Sequence, residues 1–229
     1  MSESVVKLVI AAHPDDEVLG CGGTIARSAQ DGDEIYIAIL GEGITSRNQS
    51  EDVEEKLLNQ LHTCSQRAAE LLGAKDLFLY RLPDNCFDSI PLLNIVKIIE
   101  GLVERIRPQV IYTQHGGDLN IDHTIVYRAT LTATRPLAGC LIKDIYAYEV
   151  PSSTEWAFGR FEPSFQPNVF VDISETLEKK IQAMELYESE RRVFPHPRSP
   201  EALKAIGQRW GSVVGKYYAE PFELVRSVR

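Results

Sequence analysis

The chain has 229 residues, 44% of them hydrophobic and 25% charged, with a formal net charge of −9. That balance fits one globular α/β domain, residues 1–229, with a core over about 1–150 and late strands and helices completing it. The acidic excess, with no basic stripe, argues against general nucleic-acid binding.

Met1 to Ser4 is polar, and the apolar run after it is too short for a membrane span. No signal-peptide pattern precedes it. Cys21, Cys64, Cys86 and Cys140 lie far apart without a CxxC pair, which suits a reducing cytoplasm rather than a disulfide framework.

In chain order, Val5–Ala12 reads as a buried strand and Leu19–Gln30 as a helix, with Asp31-Gly32-Asp33 as a turn. Glu34–Leu40 is a second strand with Ile35, Ile37 and Ile39 on one face. Gly41 to Ser50 is a polar loop carrying Arg47. Glu51–Leu72 is a long helix with an apolar stripe through Leu57, Leu58, Leu61, Cys64, Ala68, Leu71 and Leu72, closed by Gly73. Asp76–Tyr80 is a third strand, and Arg81–Ser89 a loop with Asp84 and Asn85. Pro91–Arg107 is a helix that stops before Pro108, and Val110–Thr113 is a fourth strand. The loop Gln114–Asp122 leads into a helix from about His123 to Ala133. Ile142–Val150 is a fifth strand, Pro151–Pro167 an irregular aromatic stretch, and Val169–Ile173 a late strand. Ser174 reads as the cap of a helix to about Ser189, and a last helix covers roughly Pro200–Tyr218. This alternation predicts a Rossmann-like three-layer α/β fold, a mostly parallel sheet with helices on both faces.

Two polar clusters follow predicted strands. The first is His13-Pro14-Asp15-Asp16-Glu17 and the second is His115-Gly116-Gly117-Asp118-Leu119-Asn120-Ile121-Asp122-His123. Both belong at the carboxyl rim, where ligands bind in open α/β sheets. Three carboxylates beside an imidazole need a positive neighbour, which a helix N-terminus supplies in part and a divalent metal more fully. A catalytic zinc site takes three ligands of this kind, and His13, Asp16 and His123 make such a set. The bland alternative is two satisfied histidines and carboxylates that cap helices.

Ala12-His13-Pro14-Asp15-Asp16-Glu17 resembles the signature of the zinc-dependent de-N-acetylases of the LmbE-like or PIG-L family. The resemblance implies Zn2+ at His13, Asp16 and His123, with Asp15 as general base. Many members read His-x-x-His in the second half, whereas this chain has Asn120 at the first of those positions. Asn120 can donate a neutral hydrogen bond to an oxyanion but cannot protonate a leaving amine. Asp15 then carries both proton transfers, or His115 assists. Asp122 can orient an imidazole or cap a helix, and Glu17 reads as a supporting residue at the head of the first helix.

Candidate substrate contacts are Arg67, in the Arg67-Ala68-Ala69-Glu70 context, Asp84 and Asn85 on the rim, and Arg47 on a loop with flanking glycines. Each has a plainer account as a surface pair, a turn or a solvated loop. Trp156 and the phenylalanines near it suit either a sugar platform or core packing, and His196-Pro197-Arg198-Ser199 is a polar break of undecided role. Gly20, Gly22 and Gly23 fail the G-x-G-x-x-G fingerprint because Ile25 stands where its last glycine belongs.

The expected function is removal of an N-acetyl group from a sugar-like substrate such as an N-acetylated amino sugar or glycoconjugate, by metal-activated water. The alternatives are a metal-dependent amidase or esterase on a non-sugar acyl compound, and a non-catalytic Rossmann-like sugar- or nucleotide-binding protein. A homo-oligomer stays open.

Overall fold

In this computed structural model residues 4–43 and 51–229 are described, with side chains from Glu55 onward in the helix that starts at Glu51. The elements in order are β1 (Val6–Ala11), α1 (Asp16–Gln30), β2 (Glu34–Gly41), α2 (Glu51–Leu72), β3 (Asp76–Leu82), α3 (Leu92–Ile106) and β4 (Val110–Gln114). After these come α4 (Ile121–Ala133), β5 (Asp144–Tyr148), β6 (Val169–Asp172), α5 (Leu177–Glu185), α6 (Pro200–Val213) and β7 (Ala219–Ser227). They form one sheet in the order β3-β2-β1-β4-β5-β7-β6. The first five strands pair in parallel, and β7 runs antiparallel between β5 and β6.

β1 is apolar throughout its last four residues because both faces of the sheet are covered. Val9 and Ala11 join Ile35, Ile37 and Ile39 in a layer with α1, α2 and α5. Leu8 and Ile10 join Ala38 and Leu40 in the opposite layer with α3 and α4. The two-residue period of a strand thus divides one apolar run between two cores. Burying each of these valines, leucines and isoleucines contributes roughly 1.5–3 kcal/mol.

The β1–β4 pairing is the point where strand order reverses, in register Lys7↔Val110, Leu8↔Ile111 and Val9↔Tyr112. It brings the loops after both strands together at one rim, as the two polar clusters require.

Several boundaries differ from the sequence expectation. α1 begins at Asp16, not Leu19, so Asp16 and Glu17 occupy its first turn. α5 ends at Glu185, and its cap position is Thr176 rather than Ser174, whose hydroxyl instead donates to Asp172. α6 ends at Val213, and Gly215 at φ 71° turns the chain into the unanticipated strand β7. That strand lacks a continuous apolar run because it carries Glu220, Pro221 and Glu223.

Glu220 explains the glycines of α1. Its carboxylate accepts the amides of Gly23 (2.9 Å) and Thr24 (2.7 Å) and the ammonium of Lys180 (2.6 Å). Lys180 also donates to the carbonyl of Leu19 at 2.8 Å. A β-carbon on Gly22 would sit 3.0 Å from Lys180 Cγ, and one on Gly23 2.7 Å from Ile173. Bare backbone at these positions lets β7 and α5 reach α1. At Gly20 a β-carbon would lie 2.1 Å from the ring of Tyr148, which is fully buried and donates its hydroxyl to the Ile10 carbonyl. Gly20→Ala is therefore expected to destabilise the fold by about 1–3 kcal/mol, as overpacking does. A denaturant midpoint equal to that of the parent protein would contradict this close packing.

Candidate active site

The first loop is built around Asp15. It has left-handed backbone, φ 98°, and its carbonyl accepts the amides of Val18 and Leu19 at the head of α1. A non-glycine residue holds that conformation only when its surroundings enforce it. Here the Asp15 amide donates to Glu17 Oε2 at 3.1 Å, and Tyr187 donates to Glu17 Oε1 at 2.5 Å. Glu17 thus supports the loop from the first turn of α1.

Asp16 turns the other way. Its Oδ2 accepts the His13 amide at 2.9 Å and the Gln114 side-chain amide at 3.1 Å. The same oxygen lies 3.4 Å from His13 Nδ1 and 3.2 Å from His123 Nε2. Each imidazole has its second nitrogen near another carboxylate. His13 Nε2 is 2.9 Å from Asp122 and 3.3 Å from Asp84. His123 Nδ1 is 3.1 Å from Asp118. Such outer carboxylates set the orientation of ligating histidines. Asp122 is anchored by the Phe87 amide at 3.0 Å. Asp118 is anchored by the Asn120 amide and by the hydroxyls of Ser153 and Thr154. Asp122 therefore orients His13, across 109 positions of sequence, rather than its neighbour His123.

The group fits a metal ion. His13, Asp16 and His123 each offer a buried ligand atom, all within 4.8 Å of one another. Neither ring nitrogen of His123 makes a well-formed hydrogen bond despite its burial, which leaves its Nε2, beside Asp16, able to take an ion. In a second group, His13, Asp84 and Asp122 also bring ligand atoms within 4.8 Å of one another. There one Asp122 oxygen is taken by the Phe87 amide, which favours an orienting role.

The electrostatics follow from burial and pairing. Burial pushes the His13 imidazole down, but Asp122 and Asp16 outweigh it and raise the pKa to about 9. Burial is opposed again at His123, where Asp16 and Asp118 bring it to about 10. Burial raises the Asp16 carboxyl, but the two imidazoles hold it well below the usual carboxylate range. Asp15 is pushed up by burial against the pull of Arg198. Burial pushes Glu17 up to about 7 against the Tyr187 hydrogen bond.

These groups open onto a cleft of about 610 Å³. Asp84, Asn85 and Asn120 line it, as does Trp156, whose ring meets His196 edge-on at 5.5 Å. Asn120 caps α4, its Oδ1 accepting the Asp122 amide at 2.9 Å, and its Nδ2 donates to Asn85 at 3.1 Å. His115 is not in the lining. It is buried, with Nε2 2.7 Å from the Pro163 carbonyl and Nδ1 2.9 Å from Glu223. Arg67 is an exposed residue of α2, also outside the lining, and Arg47 lies outside the described residues. Sequence reasoning left Arg198 undecided and did not single out Ser152 or Glu190, which also line the cleft. The helix expected to begin near Pro200 was the one signal beside Arg198, and nothing in spacing linked Arg198 to Asp15.

The fold and site together define the class of arrangement: a mostly parallel α/β sheet with a His-Asp-His group able to hold a metal ion, and a further aspartate, at its carboxyl rim. The family model for GlcNAc-PI de-N-acetylase, PIG-L, matches residues 8–134, more than half of the chain. The chain belongs to this family of de-N-acetylases. It is 34% identical over 176 residues to the uncharacterized deacetylase YaiS of Escherichia coli (strain K12), covering 73% of this chain and 82% of that protein. It is 26% identical over 227 residues to the diacetylchitobiose deacetylase of Thermococcus kodakarensis, covering 96% of this chain and 83% of that one. The crystal structure of the conserved protein TT1542 from Thermus thermophilus superposes with a TM-score of 0.75 at 26% identity, over 97% and 96% of the two chains. Among the described residues no helix is long and apolar enough to cross a membrane.

The two histidines have folded-state pKa values above the ordinary 6.5, so their stabilising contribution is full below that pH and is lost as pH rises through about 9 to 10. Metal needs the neutral imidazoles, so metal affinity climbs over the same interval. Melting of chelator-treated and metal-loaded protein from about pH 7 to about pH 9.5 should show a metal-dependent gain in Tm that grows with pH. His13→Ala and His123→Ala should abolish the gain; a gain that persists in both variants places the metal elsewhere.

Proposed function

We propose that the protein is a zinc-dependent hydrolase that removes the N-acetyl group from an amino sugar, free or within a glycoconjugate. The observation that carries this is the convergence of His13, Asp16 and His123 on one point of the cleft that Asp15 also lines, in a chain of a de-N-acetylase family. Two imidazoles and a carboxylate are a donor set that catalytic zinc takes with a position left open. His13, Asp16 and His123 would hold the ion. When bound, it supplies Lewis-acid activation of water and of the amide carbonyl.

Asp15 takes the proton of the attacking water and passes it to the amide nitrogen as the C–N bond breaks, releasing acetate and a free amine. A carboxyl raised by burial suits both transfers. Asn120 donates to the carbonyl oxygen as negative charge develops there. What supports Asn120 over His115 is position, since Asn120 lines the cleft while both nitrogens of His115 face Pro163 and Glu223. Asn85, on the rim beside it, meets the sugar hydroxyls.

Free amine and acetate should appear with N-acetylglucosamine or diacetylchitobiose, the latter suggested by the Thermococcus relative. Activity confined to O-acetyl esters, or hydrolysis of neither class, would overturn the assignment. Asp15→Asn should keep its metal and lose about 10²–10⁴-fold in turnover. Retained turnover would move the base elsewhere. Asn120→Ala should lower kcat by about 10²–10³-fold with a smaller change in KM, because the interaction strengthens in the transition state. An inert Asn120→Ala beside a crippled His115→Ala would reverse the roles given to these two residues.

A further inference from the structure

Arg198 lies well beyond residues 8–134, the segment that the family model covers. It is the one arginine or lysine among the described residues that line the cleft. Its Nη1 donates to Asp15 Oδ2 at 2.7 Å and lies 3.4 Å from Glu190 Oε2. Its Nε donates to Ser152 Oγ at 2.7 Å. One guanidinium therefore ties three segments together: the loop after β1, the rim beyond β5 and the connection between α5 and α6.

Each end of this tie is itself held. The Arg198 amide donates to His196 Nδ1 at 3.2 Å, and the next residue, Ser199, caps α6 by accepting the Ala202 amide at 3.1 Å. Pro200 then starts that helix. Ser152 has left-handed backbone, φ 75°, and its amide donates to Glu155 at 2.6 Å. The guanidinium is thus presented from a rigid helix start and braced by a constrained serine. Its planar fork can serve the carboxylate and the hydroxyl at once, which an ammonium cannot do with the same geometry.

On the strength of the deacetylase function above, we propose that Arg198 is a positioning residue: it holds Asp15 by Oδ2, fixes the plane of the carboxylate and leaves Oδ1 to meet the water and the amide nitrogen. The backbone of Asp15 is fixed separately, through Glu17 and Tyr187. Backbone and side chain of the base are therefore set by two independent contacts from the last third of the chain. A displacement of about 1 Å in a reacting group can cost on the order of 10²-fold in rate, so loss of the tie should appear in kcat.

The test compares Arg198→Ala and Arg198→Lys with the parent protein, all loaded with zinc. Arg198→Ala should retain stoichiometric metal and lose about 10²-fold in kcat with KM changed much less. Guanidinium at millimolar levels should restore part of that turnover, and Arg198→Lys should recover less than the parent because it lacks the fork. In crystals of Arg198→Ala the Asp15 carboxylate should leave its parent orientation while Asp16, His13 and His123 stay in place. An unmoved Asp15 carboxylate in Arg198→Ala, or parent-like kcat, would overturn the proposal. Should Arg198→Ala fail to fold, Arg198→Lys carries the same two readouts. If the parent protein hydrolyses no N-acetylated amino sugar, the assigned reaction falls, while the orientation of Asp15 in the variant crystals still decides what Arg198 does.

Discussion

One carboxylate oxygen, Asp16 Oδ2, is where the two halves of the site meet. It accepts the His13 amide and the Gln114 side chain and faces both imidazoles at 3.4 and 3.2 Å. A buried anion is costly unless it is paired and hydrogen-bonded. Asp16 meets that condition through β4 and α4 as well as through its own loop. The parallel pairing of β1 with β4 is what makes this reachable, because it sets the ends of both strands at one rim. The N-termini of α1 and α4 point into the same place, and their dipoles favour negative charge there. An ion bound by His13, Asp16 and His123 would relieve the poor hydrogen bonding of His123.

Around that oxygen the roles of the aspartates divide by orientation. Asp16 faces the imidazoles, Asp118 and Asp122 stand behind them, and Asp15 faces the cleft. Asp15 and Asp16 are adjacent in the chain, and the left-handed backbone at Asp15 is what sends their side chains apart. Strain at such a residue persists only when its surroundings over-determine it. The Glu17–Tyr187 contact does this for the backbone.

The late elements matter to the site although their sequence resembles no motif. Tyr187 comes just after α5 and reaches Glu17 in the first turn of α1, and Arg198, just before α6, reaches Asp15 in the loop after β1. Glu220 on β7 and Lys180 on α5 grip the middle of α1. The helix that carries Asp16 is thereby clamped from the carboxyl-terminal third of the chain, which gives the ligand loop a rigid base.

The sequence by itself determined the alternation of strands and helices and the placement of both polar clusters after strands, and its resemblance to a family signature put forward His13, Asp16 and His123 as a donor set. These are local properties: apolar periodicity, turn residues and side-chain chemistry within a few positions. It also separated the α1 glycines from a nucleotide fingerprint, since Ile25 occupies the last glycine position. Only the tertiary structure decided what depends on contacts between distant segments. Asp122 orients His13 and not its neighbour, Arg198 reaches Asp15, and His115 turns away to Pro163 and Glu223. The strand β7 was not legible either, because Glu220 and Pro221 interrupt any apolar pattern. Its burial makes sense only once Lys180 and the bare backbone of α1 stand opposite Glu220. A charged residue reads as surface in one dimension, and its partner is visible only when the chain has folded back upon it.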